Sequence, residues 1–92
     1  MGIAEGIETA LSASILFNIP VWSVLNANNL MKFVVPDGVK RLVIFSDNDA
    51  SFTGQSASFA LARELALKGK LQIEVMVPAR SGEDWNDVLV RK

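Results

Sequence analysis

The feature that most constrains the fold is an apolar run rich in β-branched residues, 39–44, closely followed by Asp47, Asn48 and Asp49. The run predicts a buried strand over 41–46. Two carboxylates would then follow the point where this strand ends in a loop. Because ligands of an open parallel α/β sheet bind at the carboxyl ends of its strands, the pair predicts a functional site at that edge.

Strand-like and helix-like segments alternate along the rest of the chain. The predicted elements are the tail of a strand at 3–4, a helix over 7–17, a strand over 21–25, a helical turn at 30–33, the strand over 41–46, a helix over 55–68 ended by Gly69, a strand over 71–77 and a helical turn at 88–90. This order predicts a single small α/β domain, 1–92, with about four parallel strands flanked by helices and a truncated first strand.

Apolar spacing predicts the first helix. Ile7, Ala10, Leu11, Ser14 and Ile15 follow the i, i+3, i+4, i+7, i+8 spacing of one helix face. Trp22 and Phe45, in two of the predicted strands, are expected in the core.

Composition narrows the possible chemistry. The 92 residues include no Cys and no His, which excludes disulfides, thiolate chemistry, Ser-His-Asp catalysis and imidazole metal sites. Carboxylates remain, and they favour a hard cation such as Mg²⁺ or Mn²⁺. The net charge of −1, with scattered Lys and Arg, gives no general nucleic-acid signature. Neither a membrane span nor a signal peptide is predicted, and a cytoplasmic location is expected.

Two further acidic segments are predicted to lie on the same sheet edge as Asp47 and Asp49. Glu5 follows the first strand, and Asp84 and Asp87 follow the last. Each acidic segment has an alternative explanation. Asp-Asn-Asp is a common sequence in turns, and an acid at Glu5 is favoured by the dipole of the helix that follows. Asp84 could cap a terminal helix. Convergence at one edge favours a carboxylate cluster that binds a divalent metal and acts on phosphate.

Two other features could contact a phosphate group. Arg80 is a loop cation after the last strand, close to the predicted acidic site. Ser51, Thr53 and Gly54 form a small-residue loop before a helix N-terminus, where backbone N–H groups can receive an anion. An ordinary loop cation is the favoured explanation of Arg80. Thr53 or Ser51 could cap the next helix, and the small-residue loop lacks a full P-loop pattern.

Three motifs in order make the chain resemble a Toprim domain, the catalytic fold of bacterial-type primases, type IA and II topoisomerases and some nucleases. They are the segment 4–10 with Glu5-Gly6, the Asp47-Asn48-Asp49 segment followed by Gly54 and an Ala-rich helix, and the segment 84–87 after Pro78. The closer resemblance is to the Toprim module of phage- and plasmid-type primases and primase-helicases. Asn48 stands where the family pattern usually has glycine.

The resemblance implies a function and a set of roles. Glu5 would be the general acid/base of nucleotidyl transfer, Asp47 and Asp49 the principal Mg²⁺ (or Mn²⁺) ligands, and Asp84 an accessory acid, with Arg80 and Asp87 as possible substrate contacts. The chain would be the catalytic part of a larger DNA primase that makes RNA primers. Its partners would be a single-stranded DNA template, nucleoside triphosphates, and helicase and zinc-ribbon domains of the parent protein.

Two alternatives to the primase hypothesis stay open. A Toprim nuclease would use the same acidic residues to cleave phosphodiesters, since both activities need this site. A non-catalytic remnant that docks on nucleic acid or on a partner protein is favoured by the short first strand and the mild net charge.

Overall fold

The computed structural model describes residues 1–49, 52–69 and 71–91, which form four strands and four helices. The strands are β1 (Gly2–Ala4), β2 (Val21–Ser23), β3 (Arg41–Phe45) and β4 (Gln72–Met76). The helices are α1 (Ile7–Phe17), α2 (Ala27–Met31), α3 (Thr53–Leu67) and α4 (Trp85–Arg91).

The strands form one parallel sheet in the order β2-β1-β3-β4. Ala4 at the end of β1 lies opposite Phe45 at the end of β3, and Phe45 lies opposite Met76 at the end of β4. The predicted parallel α/β fold with a short first strand is thereby confirmed. Because the three strands end level with one another, the segments that follow them meet at one edge.

Helices cover both faces of the sheet because the strands are apolar on both sides. On one face Ile3, Leu42 and Ile44 pack with Leu30 of α2 and Leu61 of α3. On the other face the core is smaller and contains an aromatic group. It comprises Ala4, Val43 and Phe45 from the sheet, Ala10 and Ala13 from α1, and Trp85 from α4. The rings of Phe45 and Trp85 meet edge to face at 5.9 Å.

The helix predicted over 7–17 is confirmed, but most of the residues that carry its apolar spacing are exposed. Ile7, Leu11 and Ile15 are 60%, 61% and 65% exposed, whereas the buried face carries only small side chains. Those are Thr9, Ala10, Ser12 and Ala13. Small side chains let α1 approach the sheet and α4 closely, and this close packing decides which face is covered.

The prediction for the core aromatics is half right. Phe45 is fully buried, as expected, but Trp22 is 59% exposed. The reason is its place on β2, the edge strand, where it pairs in register with Ile3 and points to the opposite face from Val21. On that face α3 packs against β3 and β4, on the far side of the sheet from β2, and Trp22 stays uncovered.

A capping side chain starts one helix earlier than predicted. The Asn26 side chain accepts a hydrogen bond from the N–H of Asn29 at 2.8 Å, and α2 therefore starts at Ala27. Gly69, with φ of 76°, follows the end of α3 as predicted.

Among the described residues, no helix is both long and apolar enough to cross a membrane.

Candidate active site

Three of the predicted acidic residues converge at the carboxyl edge of the sheet. Glu5 follows β1 directly, and Asp47 and Asp49 follow β3. Gly54, in the first turn of α3, lies between two of them: a Cβ at this position would be 3.6 Å from Asp49 Oδ2 and 3.6 Å from Glu5 Oε2. The side chain of Ser46 is also adjacent, with its Oγ at 3.7 Å from that point. Glu5 and Asp49 therefore face the same small space. It stays open because Gly54 has a hydrogen atom where other residues have a side chain.

The proximity of like charges changes the protonation of Glu5. Partial burial raises the pKa of Glu5 above its usual range, and the negative charges of Asp47 and then Asp49 raise this pKa further. Negative charges that repel one another at a partly buried site favour a bound cation. The site therefore has the electrostatics of a cation site without needing any His or Cys.

Asp47 is held by two neutral donors. The Thr9 hydroxyl, on the buried face of α1, donates to Asp47 Oδ1 at 3.1 Å and lies 3.3 Å from Oδ2. The backbone N–H of Trp85 at the start of α4 is a second donor. Burial raises the pKa of the Asp47 carboxyl despite these hydrogen bonds, and the charges of Asp84 and Asp49 add to that rise. The sequence interpretation gave Thr9 no role, although it lies within the 4–10 motif.

Asn48 connects the segment after β3 to the rest of the edge. Its backbone N–H donates to the carbonyl of Glu83 at 2.9 Å, and its side-chain Nδ2 donates to the carbonyl of Pro78 at 2.8 Å. Its Oδ1 accepts a hydrogen bond from Gln55 Nε2 of α3 at 3.2 Å. Asn48 thereby ties three segments together, and a glycine at this position could not make the side-chain bonds.

Asp84 and Asp87 cap α4 reciprocally. Asp84 Oδ1 accepts from the N–H of Asp87 at 2.8 Å, and Asp87 Oδ2 accepts from the N–H of Asp84 at 3.0 Å. The box starts α4 at Trp85, three residues before the predicted turn, and so places the Trp85 N–H against Asp47. Asp84 is close enough to raise the pKa of Asp47, whereas Asp87 is exposed.

The two predicted phosphate contacts have different surroundings. Arg80 is exposed in the loop after β4, and it forms no ion pair within the described parts of the chain. Thr53 and Gly54 belong to the first turn of α3, whose N-cap residue is Phe52. Ser51, the third residue of the predicted small-residue loop, lies outside the described residues.

The family model of the Toprim domain matches residues 1–92, which is the whole chain. The chain belongs to the Toprim domain family. Toprim domains are generally catalytic modules that process nucleic acids, they occur in primases and nucleases, and they typically bind Mg²⁺. No curated protein and no solved structure matches the chain.

The residues at the acidic edge of this Toprim domain fit a Mg²⁺ ion that is held by only a few protein ligands. Within residues 1–49, 52–69 and 71–91, no three acidic side chains lie close enough together to hold one ion. Mg²⁺, however, usually binds through one or two protein carboxylates and completes its shell with water and phosphate oxygens. Asp49 supplies a hard oxygen donor beside the space at Gly54, and Asp47 supplies a second one at the same edge, while Glu5 borders that space from another side. The donor set and the space both suit this ion.

Proposed function

We propose that this Toprim domain is the Mg²⁺-dependent nucleotidyl-transfer module of a DNA primase, which makes RNA primers for DNA replication. The observation that supports the proposal best is the convergence of Glu5, Asp47 and Asp49 at one sheet edge, with Gly54 adjacent to Glu5 and Asp49. The choice of primase among Toprim activities is favoured by the segments 4–10 and 84–87, which resemble those of phage- and plasmid-type primases.

Each acidic residue has a distinct role in this proposal. Glu5 accepts the proton of the attacking 3′-hydroxyl, and the raised pKa of its carboxyl brings it closer to the range where a general base can also return a proton. Asp47 and Asp49 would hold the cation, with Asp84 as an accessory acid. A divalent cation bound there supplies neutralisation of phosphate charge. Thr9 and the N–H of Trp85 orient the Asp47 carboxylate for that task.

The proposal includes partners of the parent protein. A single-stranded DNA template and nucleoside triphosphates are the substrates, and Arg80, exposed beside the acidic edge, would contact a phosphate of either one. Helicase and zinc-ribbon domains in the same parent protein would supply unwinding and template recognition. Asp87 is assigned here to the capping of α4, and only through that helix to the site.

Metal binding is tested with Mn²⁺, which broadens NMR signals of nearby nuclei. We expect titration to broaden the amide resonances of Glu5, Asp49 and Gly54 first, and Asp49→Asn to weaken the effect at least tenfold in Mn²⁺ concentration. Asp37→Asn is the matched control, because Asp37 is exposed in the turn before β3, at the opposite edge of the sheet. If Mn²⁺ broadened the resonances of Asp37 as strongly as those of Asp49, binding at the acidic edge would not be specific and the proposal would lose its basis.

A single added methyl group tests where the cation lies. Gly54→Ala places a Cβ at ordinary contact distance from both Glu5 and Asp49, so we expect the protein to fold but to bind Mn²⁺ several-fold more weakly. Gly6→Ala is the control, since a Cβ there meets nothing within 4 Å although Gly6 adjoins Glu5. If both variants bind Mn²⁺ like the unmodified protein, the cation does not occupy the space at Gly54.

The reaction type is tested with a labelled single-stranded DNA, ribonucleoside triphosphates and Mg²⁺. A primase incorporates nucleotides into new RNA, whereas a nuclease shortens the DNA. In the parent protein we expect Glu5→Gln to lower primer synthesis by about 10²–10⁴-fold, as loss of a general base does. Glu64→Gln, an exposed position on α3, is the control. Shortened DNA would establish the nuclease alternative, and no reaction with metal bound would favour the binding remnant.

A further inference from the structure

An uncharged groove adjoins the acidic edge. It lies between α2 and the first turns of α3 and has a volume of about 470 Å³. Its walls comprise Ala27 and Met31 of α2, and Phe52, Thr53, Ser56 and Ala57 at the start of α3. Thr53 directly precedes Gly54, the residue between Glu5 and Asp49. The groove and the acidic site therefore adjoin at the first turn of α3.

Phe52 is the distinctive residue of this groove. Its backbone lies in the left-handed region, with φ of 60° and ψ of 13°, which is rare for a bulky side chain. Its ring is 64% exposed, so burial of the ring does not compensate for the unfavourable backbone conformation. The N–H of Phe52 donates to the carbonyl of Asp49 at 3.2 Å, which ties the backbone of Phe52 to the segment that carries the acidic residues. Strain of this kind, held in place next to a site, points to a binding role.

We propose that this groove binds a nucleobase, stacked on the ring of Phe52, while a phosphate of the same nucleotide or strand lies at the acidic site. The proposal rests on the proposed function, because it takes the ligand to be a nucleotide or nucleic acid. Stacking on an aromatic ring suits any base, since every base has a π-face. The exposed Ser56 hydroxyl offers one polar contact to a base edge. The volume falls within the range of about 300–1,000 Å³ that is usual for small-molecule sites.

Other grooves on the described surface suit a base less well. One is lined by Asp37, Lys68 and the loop before β3, at the opposite edge of the sheet from the acidic residues. Another lies between α3 and β4, beside Phe59 and Arg63. Phe59 is 55% exposed on the same helix as Phe52 and serves as a matched control residue.

The test compares ligands that differ only in their bases. Binding of a short labelled oligodeoxynucleotide and of an abasic strand of the same length is measured by fluorescence anisotropy, with Mg²⁺ present. We expect the unmodified chain to prefer the base-bearing strand by roughly tenfold. Phe52→Gly should abolish this preference and leave the Tm equal or higher, because glycine adopts the left-handed conformation without strain. Phe52→Trp should keep the preference, and so should Phe59→Ala.

Several outcomes would overturn the proposal. Equal binding of both strands by the unmodified chain would exclude a base subsite and leave the proposed function standing. Failure of both strands to bind at any Mg²⁺ concentration would overturn the subsite and the proposed function together. A Phe52→Gly variant that folds and keeps the preference, or a Phe59→Ala variant that loses it, would show that the base lies elsewhere.

A competition arm identifies the source of the base. ATP and inorganic triphosphate are each used to displace the abasic strand, so that only the base and sugar differ between them. If ATP is the stronger competitor and Phe52→Gly removes its advantage, the groove takes the incoming nucleotide. If ATP and triphosphate compete equally while the oligonucleotide preference depends on Phe52, the groove takes a base of the template strand. If neither the preference for the base-bearing strand nor the advantage of ATP depends on Phe52, the proposal is wrong.

Discussion

Single residues set the protonation of the acidic edge. Glu5 is surrounded by carboxylates, whereas Asp47 has two donors that favour its ionised form, the Thr9 hydroxyl and the Trp85 N–H. The two side chains therefore respond differently to the loss of a neighbour. Removing the charge of Glu5 relieves repulsion, while removing the donor to Asp47 leaves a half-buried carboxylate less well solvated.

Replacing Glu5 with Gln should stabilise the metal-free protein at neutral pH. A carboxyl whose pKa is raised by folding opposes folding when it ionises, and this cost disappears below the pKa of the unfolded chain. We expect the free energy of unfolding at pH 7 to rise by about 0.5 kcal/mol, a modest value because the site is partly solvated. The gain should fall toward zero as the pH drops below 4.5, the ordinary pKa of Glu5. Urea unfolding of both proteins across this pH range measures the difference in free energy of unfolding.

The control for this prediction is Glu64→Gln, at an exposed position of α3 far from the acidic edge. Its effect on stability should be near zero at both ends of the pH range. A Glu5→Gln gain that persists unchanged at low pH would mean that repulsion between carboxylates is not its cause.

Replacing Thr9 with Val tests the hydroxyl that holds Asp47. The side chain keeps its shape but loses the donor, so we expect a loss of about 1 kcal/mol in unfolding free energy at pH 7. The pKa of Asp47 should rise further, and the loss of stability should disappear as the pH falls through that pKa, since the protonated carboxyl no longer needs the donor. A ¹³C NMR titration of the carboxyl group gives the pKa directly.

Ser14→Ala is the matched control for Thr9→Val. It removes a hydroxyl from the same helix, where Ser14 Oγ donates to the carbonyl of Leu11 at 2.8 Å. The pKa of Asp47 should not change in this variant. An equal pKa change in both variants would indicate a general disturbance of α1 rather than loss of the bond to Asp47.

Among the elements, the loops at the carboxyl edge depend on one another. The side chain of Asn48 joins the loop after β3 to the loop after β4 at Pro78 and to α3 at Gln55. The capping box of Asp84 and Asp87 then fixes the start of α4, whose first N–H reaches Asp47. The acidic site is therefore held by connections between loops, and each loop alone would leave it unformed.

Asn48→Ala should loosen this edge. Two side-chain hydrogen bonds of about 1 kcal/mol each are lost, so we expect the free energy of unfolding to fall by about 2 kcal/mol. The Glu83 and Gly82 amides, which lie in the loop that Asn48 holds, should exchange with deuterium faster. Asn28→Ala, at an exposed position of α2, is the control. If the two variants were equally stable, the loop connections would carry no energetic weight.

At the scale of the whole molecule, the sheet brings together residues far apart in the chain. β1 and β3 are neighbours with level ends, although more than thirty residues separate them, so Glu5 and Asp47 meet at one edge. The resulting repulsion is a feature of the fold as a whole. A cation that binds the folded edge, and not the unfolded chain, therefore stabilises the whole domain.

Mg²⁺ should raise the thermal stability of the protein. At a concentration about 100 times its Kd, a ligand adds about 2.7 kcal/mol, which corresponds to a rise in Tm of about 10 °C or more for a domain of this size. NaCl at matched ionic strength should give a much smaller rise. In the double variant Asp47→Asn, Asp49→Asn, the Mg²⁺ effect should vanish. Calorimetry gives the Tm with Mg²⁺, with NaCl and in the double variant. An equal rise in Tm with Mg²⁺ and with NaCl would contradict specific binding.

The order of the elements and the place of the acidic pair follow from local patterns in the sequence. Apolar runs, helix periodicity and the positions of Gly69 and Pro20 depend on neighbours within a few residues, so the parallel α/β fold and the edge with Asp47 and Asp49 could be predicted. The Toprim motifs added the family, which the match to residues 1–92 establishes.

Only the tertiary structure decided which side chains touch. The Thr9 hydroxyl on Asp47 and the links made by Asn48 join segments up to 38 residues apart. The buried face of α1 packs on α4, where Ser12 and Asn86 are 74 residues apart in the chain. Such contacts depend on how closely two elements approach, which a local pattern does not encode. The same holds for Asp47-Asn48-Asp49: the sequence placed it at an edge, and the packing of α1, α3 and α4 around that edge turned a turn-like segment into a shared acidic site.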